Sequence, residues 1–141
     1  MRITVFSIFI CLLFTLCACG MFSNKPMPTS TAHVENTDII IPVKVHYYDW
    51  GGKYEYGDSA TIDVEVEPAI IPPNSKIVFS FDRKPKEISS LREVLSREES
   101  NTLDSSSNEI LVPYTNGIHT YAYTAKWPEG FVVFVFKVEV N

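Results

Sequence analysis

A chain of 141 residues with 45% apolar and 21% charged content is long enough for one domain and too short for two. From residue 19 onward, eleven basic residues stand against seventeen acidic ones, a formal charge of −6. No lysine or arginine cluster runs along it, which argues against nucleic-acid binding and disfavours contact with anionic lipid headgroups. The three cysteines, Cys11, Cys17 and Cys19, all fall within the first twenty residues, so no disulfide framework is available to the rest.

Met1-Arg2 gives a short positive start, residues 3–16 are apolar, and Leu16-Cys17-Ala18 is a small-residue exit: the three regions of a secretory signal peptide. Leu16-Cys17-Ala18-Cys19 resembles the lipobox of bacterial lipoproteins, an aliphatic residue and two small ones before the cysteine, with Cys17 departing slightly from the usual small residues. The resemblance implies that the Cys19 thiol is diacylglycerated and that the leader, residues 1–18, is then removed. The mature chain would begin at Cys19, held to the extracytoplasmic face of a membrane. At ~0.8 kcal/mol per buried methylene, two acyl chains make such an anchor stable where one holds only reversibly. The alternative is an uncleaved membrane helix over residues 3–22, twenty mostly apolar residues, against which stand Gly20 and the change to polar residues at Ser23. Either way Arg2 stays inside and the remainder is exported.

Residues 23–38 contain Pro26, Pro28 and several hydroxyl residues without apolar periodicity, the composition of a spacer. Residues 19–38 are accordingly read as a lipid-anchored flexible tether and residues 39–141 as the folded domain. Sixteen spacer residues at ~5–6 Å × √n would hold that domain roughly 20–24 Å from the lipid.

From Ile39 onward the pattern has period 2. Val43, Val45 and Tyr47 alternate with Lys44, His46 and Tyr48. Ala60, Ile62, Val64 and Val66 alternate with Thr61, Asp63, Glu65 and Glu67, which reads as a strand with one wet and one dry face. Ile77, Phe79 and Phe81 repeat the pattern. Residues 86–104 are open between helix and strand: Ile88, Leu91 and Leu95 have helical spacing, but the surrounding prolines and serines favour strand and loop. Residues 110–112 are a short apolar run ended by Pro113. Residues 118–127 and 131–140 are long strands joined at Trp127-Pro128-Glu129-Gly130, where proline and glycine suit a tight hairpin turn. Six or seven short strands with turns about ten residues apart predict an all-β, immunoglobulin-like antiparallel β-sandwich of about seven strands, with a small barrel as the alternative.

In the last third, Gly117, Tyr121, Ala125, Trp127, Gly130, Phe136 and Val138, with His119 standing where a tyrosine is usual, make a pattern similar to that of small exported proteins of low-GC Gram-positive bacteria that end in an Ig-like domain. The resemblance implies a fold and no activity.

No nucleophile elbow, phosphate loop or His-Glu-x-x-His motif is present, and the one cysteine of the mature chain is taken up by lipid. No catalytic residue, metal or cofactor is therefore expected. His33, His46 and His119 fall on separate segments, and Asp49, Glu55 and Asp58 around a glycine-bearing loop lack the spacing of a calcium site. The segment best suited to recognition is residues 47–56, five aromatics in ten residues around Gly51-Gly52, with Tyr48, Trp50, Tyr54 and Tyr56 as candidate ligand-binding residues. The competing reading has these rings close the end of the core. The expected function is a non-enzymatic binding or interaction module, held by a diacylglyceryl-cysteine and engaging a protein or envelope partner. A small envelope enzyme using Asp and Glu, and an inhibitor or accessory subunit of a membrane protein, are the rivals.

Overall fold

The computed structural model describes residues 25–57 and 59–141; the leader, Cys19 and Asp58 lie outside the described residues. Among the described residues the chain forms eleven strands: β1 (Ser30–Val34), β2 (Ile40–Ile41), β3 (Val43–Trp50), β4 (Lys53–Glu55), β5 (Ala69–Ile71), β6 (Lys76–Phe81), β7 (Glu87–Val94), β8 (Ser100–Thr102), β9 (Glu109–Leu111), β10 (Gly117–Trp127) and β11 (Gly130–Val140). They make two sheets packed face to face, a β-sandwich. One sheet has the order β2-β1-β6-β9 and the other β4-β3-β11-β10-β7-β8. The pairing is antiparallel except at β5, which runs parallel to the last three residues of β11. The count exceeds the seven expected because β2, β4, β5, β8 and β9 are only two or three residues long, too short to leave an alternating pattern.

Alternation builds the core directly. On β10, Tyr121, Tyr123 and Ala125 face inward; on β11, Val132, Phe134, Phe136 and Val138 do the same. From the opposite sheet, Phe79 of β6 stacks on Tyr123 at 4.4 Å, and Tyr123 lies 5.4 Å from Phe134, so one aromatic column joins the two layers. The buried Tyr123 hydroxyl is paired with Ser30 Oγ at 2.6 Å, so its burial leaves no polar atom unsatisfied.

Three expectations need correction. Residues 30–38 are not spacer: β1 lies between β2 and β6, its Ala32 and Val34 sit in the core, and Met27 packs against that core. The prolines and hydroxyl residues around it concealed a five-residue strand. Nor is the alternating stretch 60–67 a strand. It is a 3-10 turn at Thr61–Asp63 followed by extended chain laid across the outer face of the larger sheet. Ile62, Val64 and Val66 cover Val94, Ala122 and Val135 there, while Lys44 Nζ and Lys137 Nζ donate to the carbonyls of Glu65 and Ile62. Alternation demands an extended chain with one dry face; lysines supply bonds that a neighbouring strand would otherwise make. Third, the alternation of β3 breaks. A bulge between Val45 and Tyr47 shifts the register against β11, so that Tyr48 and Trp50 join Val43 and Val45 on the core side and Tyr47 turns outward.

Residues 86–104 hold β7 and β8, strand and loop without helix. The 127–130 turn closes a hairpin with Trp127 opposite Gly130.

Candidate functional site

The aromatic segment folds about a two-residue hairpin loop. Gly51 and Gly52 have φ of +58° and +80°, as a type I′ turn requires at both positions, and join Trp50 to Lys53. Tyr48 and Trp50 do not share a surface with Tyr56. Trp50 is buried and Tyr48 half-buried against the core, whereas Tyr56 is 68% exposed. Tyr54 occupies the β4 position opposite Asp49.

Trp50 sits in a polar-capped aromatic corner. Its ring meets Trp127 edge-on at 5.7 Å, the Arg83 guanidinium lies 5.3 Å from its centre, and its Nε1 donates to the Lys25 carbonyl at 2.9 Å. Trp127 Nε1 donates to the Arg83 carbonyl at 3.1 Å. Arg83 also bonds Glu129 at 2.8 Å and, with Lys25 nearby, holds that carboxyl below the ordinary carboxylate range. The corner therefore fastens residue 25, where the described chain begins, to the turn end of the sandwich.

On the outer side of the same hairpin is a ledge of rings. Tyr47 stacks on Tyr56 at 6.2 Å and meets Phe131 and His46 edge-on at 6.2 and 5.1 Å. His46 is aimed by the bulge, and its ring fills the space beside Gly57, where an added Cβ would come within 2.8 Å of it. Burial, with Arg92 adding to it, pulls the His46 pKa below its ordinary value, so the ring is neutral at neutral pH. A ledge of this kind offers flat stacking contact to a sugar face or a peptide.

Among the described residues no three His, Cys, Asp or Glu side chains converge as metal ligands would; of the acidic loop residues, Asp58 lies outside the described set. His33, His46 and His119 lie on β1, β3 and β10.

The pairing of His119 with Glu93 at the opposite mouth of the sandwich goes beyond the sequence reading of His119 as a partly buried ring with one nitrogen bonded. His119 Nδ1 lies 2.7 Å from Glu93 Oε1, and its Nε2 lies 2.8 Å from the Thr115 carbonyl. Both partners are acceptors, so both ring nitrogens must carry protons, and the imidazolium is the form that satisfies the site. The signal was available: His119 has the parity of Tyr121 and Tyr123, and a histidine on the dry face of a strand needs a partner. Burial lowers the His119 pKa, but the Glu93 carboxylate and the Thr115 carbonyl outweigh it and leave the value raised above 6.5. A raised folded-state pKa contributes stability that is complete below the unfolded value near 6.5 and is lost as pH rises through the folded value. The stability difference between wild type and His119→Gln is expected to be largest in mildly acidic solution and to shrink as pH rises past 6.5. Denaturation series across pH check this, and a difference that grows toward alkaline pH would contradict it.

Comparison of the chain with protein-family models, with curated proteins and with solved structures returned no match, so the arrangement of its own side chains is what a functional reading has to rest on.

Proposed function

We propose that the chain is an exported lipoprotein, held through Cys19 to the extracytoplasmic face of a membrane, whose sandwich acts as a non-enzymatic interaction module for a protein of the envelope. The lipobox residues Leu16-Cys17-Ala18-Cys19 support the anchor. The observation that carries the interaction reading is where three of the large exposed apolar side chains lie. Ile118 of β10 and Ile70 of β5, each 63% exposed, flank Glu139 of β11 in register on the outer face of the larger sheet. Tyr114, in the loop that leads into β10, is 77% exposed. All three lie at the end opposite the Trp50–Trp127 corner, where residue 25 is held. Large apolar groups left in water without a packing role mark surfaces that a partner covers.

The test is a photo-crosslinking side chain placed at Ile118 in the full chain in its own membrane. A discrete adduct is expected, and Ile70→Glu should abolish it. A discrete adduct from position 56 alone would move the site to the aromatic ledge, the second reading that the stacked rings support.

A further inference from the structure

We infer that the turn end of the sandwich, around Lys53, Lys84 and Lys86, is a membrane-facing surface that rests on anionic lipid headgroups; this goes beyond the anchor reading above and depends on it. Four stretches of chain meet at this end: residues 25–29, 49–54, 82–87 and 126–131. They are held together by the bonds of Trp50 to Lys25, of Trp127 to Arg83, of Gly51 to Glu129 and of Lys86 to Lys126. They carry six of the eleven basic residues that follow the leader and four of the seventeen acidic ones, a local charge of +2. The rest of the mature chain carries five against thirteen, or −8. The fold thus sorts charge that is scattered along the sequence, and the lysine cluster absent from the linear chain exists in three dimensions.

The lysines here are free to meet a partner. Lys25, Lys53, Lys84, Lys86 and Lys126 are all exposed. Among the described residues Lys53, Lys84 and Lys86 have no ion pair, while Lys25 and Lys126 reach Glu129 and Glu87 only at 3.7 and 3.4 Å. Lys84 and Lys86 border an open hollow of about 380 Å³ that Glu87 also lines, with Ser105 and Ser107 among its other residues as hydroxyl groups able to bond phosphate oxygens, while the Ser106 hydroxyl is taken up by Asp104.

Chain length fixes which surface this end meets. Only six peptide units separate Cys19 from Lys25. At ~3.3–3.6 Å each they span at most about 22 Å, and at ~5–6 Å × √n about 12–15 Å on average. The Lys25 main chain is held at this end by the Trp50 Nε1 bond to its carbonyl, so a lipid on Cys19 delivers this face, and not the acidic opposite end, to within reach of headgroup charge, which decays over about 8 Å at physiological salt. A lysine near an anionic bilayer favours the bound orientation about fivefold.

The experiment uses the full lipidated protein in vesicles of phosphatidylcholine with or without phosphatidylglycerol, and reads the rate at which a water-soluble amine reagent modifies each lysine. In anionic vesicles Lys53, Lys84 and Lys86 are expected to react several-fold more slowly than in neutral ones, while Lys44, on β3 and six residues from the turn, reacts at the same rate in both. Added salt should restore the three rates, and Lys84→Glu with Lys86→Glu should restore the rate at Lys53. Equal rates in the two kinds of vesicle would overturn the proposal while leaving the anchor intact. The mass of the N-terminal peptide from the same sample reports the anchor separately, and an unacylated peptide would remove both.

Discussion

Gly130→Ala is expected to destabilise the domain by about 4 kcal/mol or more, a large part of the roughly 5–15 kcal/mol that holds a domain of ordinary stability folded. Gly130 opens β11 at the hairpin with φ +152°, and a Cβ there would lie 1.9 Å from the Asp49 carbonyl oxygen and 2.8 Å from its carbon. Both atoms are main chain of β3, in the ladder where Gly130 faces Trp50, so no side chain can swing away. Either the central β3–β11 pair separates or the turn is rebuilt. Gly51→Ala makes the control: φ is +58°, but nothing lies within 4 Å of its Cβ, so the cost is the ~1–2 kcal/mol of a left-handed L-residue. Equilibrium unfolding of the two variants separates clash from conformational strain. Equal losses would mean that the close approach of β3 to Gly130 is not what the position requires.

Trp50→Ala carries the second large effect, about 3–5 kcal/mol for truncation of a buried tryptophan. It removes the ring against Trp127 and beneath Arg83, and it releases the Lys25 carbonyl. Beyond lost stability, residues 25–29 should become accessible to protease in the native state, because their fastening to the turn end is gone. Trp50→Phe should keep most of the packing and lose the Nε1 bond, at a cost of about 1 kcal/mol. If Trp50→Ala instead abolished partner binding at unchanged stability, the ring would be part of a recognition site and its placement in the core would be wrong.

What was legible in the sequence follows from how many residues a pattern needs. β10 and β11 have eleven residues each, and their alternation identifies the core side of Tyr121, Tyr123, Phe134 and Phe136 without reference to anything distant. The stretch 60–67 shows the limit of the same logic: its dry face is real, with Val64 buried, yet alternation cannot say whether a strand or a lysine satisfies the backbone. One inserted residue at His46 was enough to exchange Tyr47 and Tyr48 between faces, and nothing in the local residues announces a bulge. β1 was hidden because only Ala32 and Val34 mark its dry face, set among residues that also suit a spacer.

The candidate sites divide in the same way. A gathering of aromatics at residues 47–56 is visible in one dimension, but its split into a buried Trp50 and an exposed Tyr56 depends on the bulge and on Lys25 arriving from outside the segment. The lysine face at the turn end is assembled from four separate stretches and has no linear signature.

The anchor supports both the functional reading and the membrane-facing surface, and it is tested most directly by the intact mass of the protein isolated from its own membrane. The expected result is a chain of residues 19–141 bearing a diacylglyceryl group, with labelled fatty acid entering the wild type and not Cys19→Ser. A wild-type protein that takes up no label and retains residues 1–18 would contradict it and show that the apolar leader itself holds the chain in the membrane.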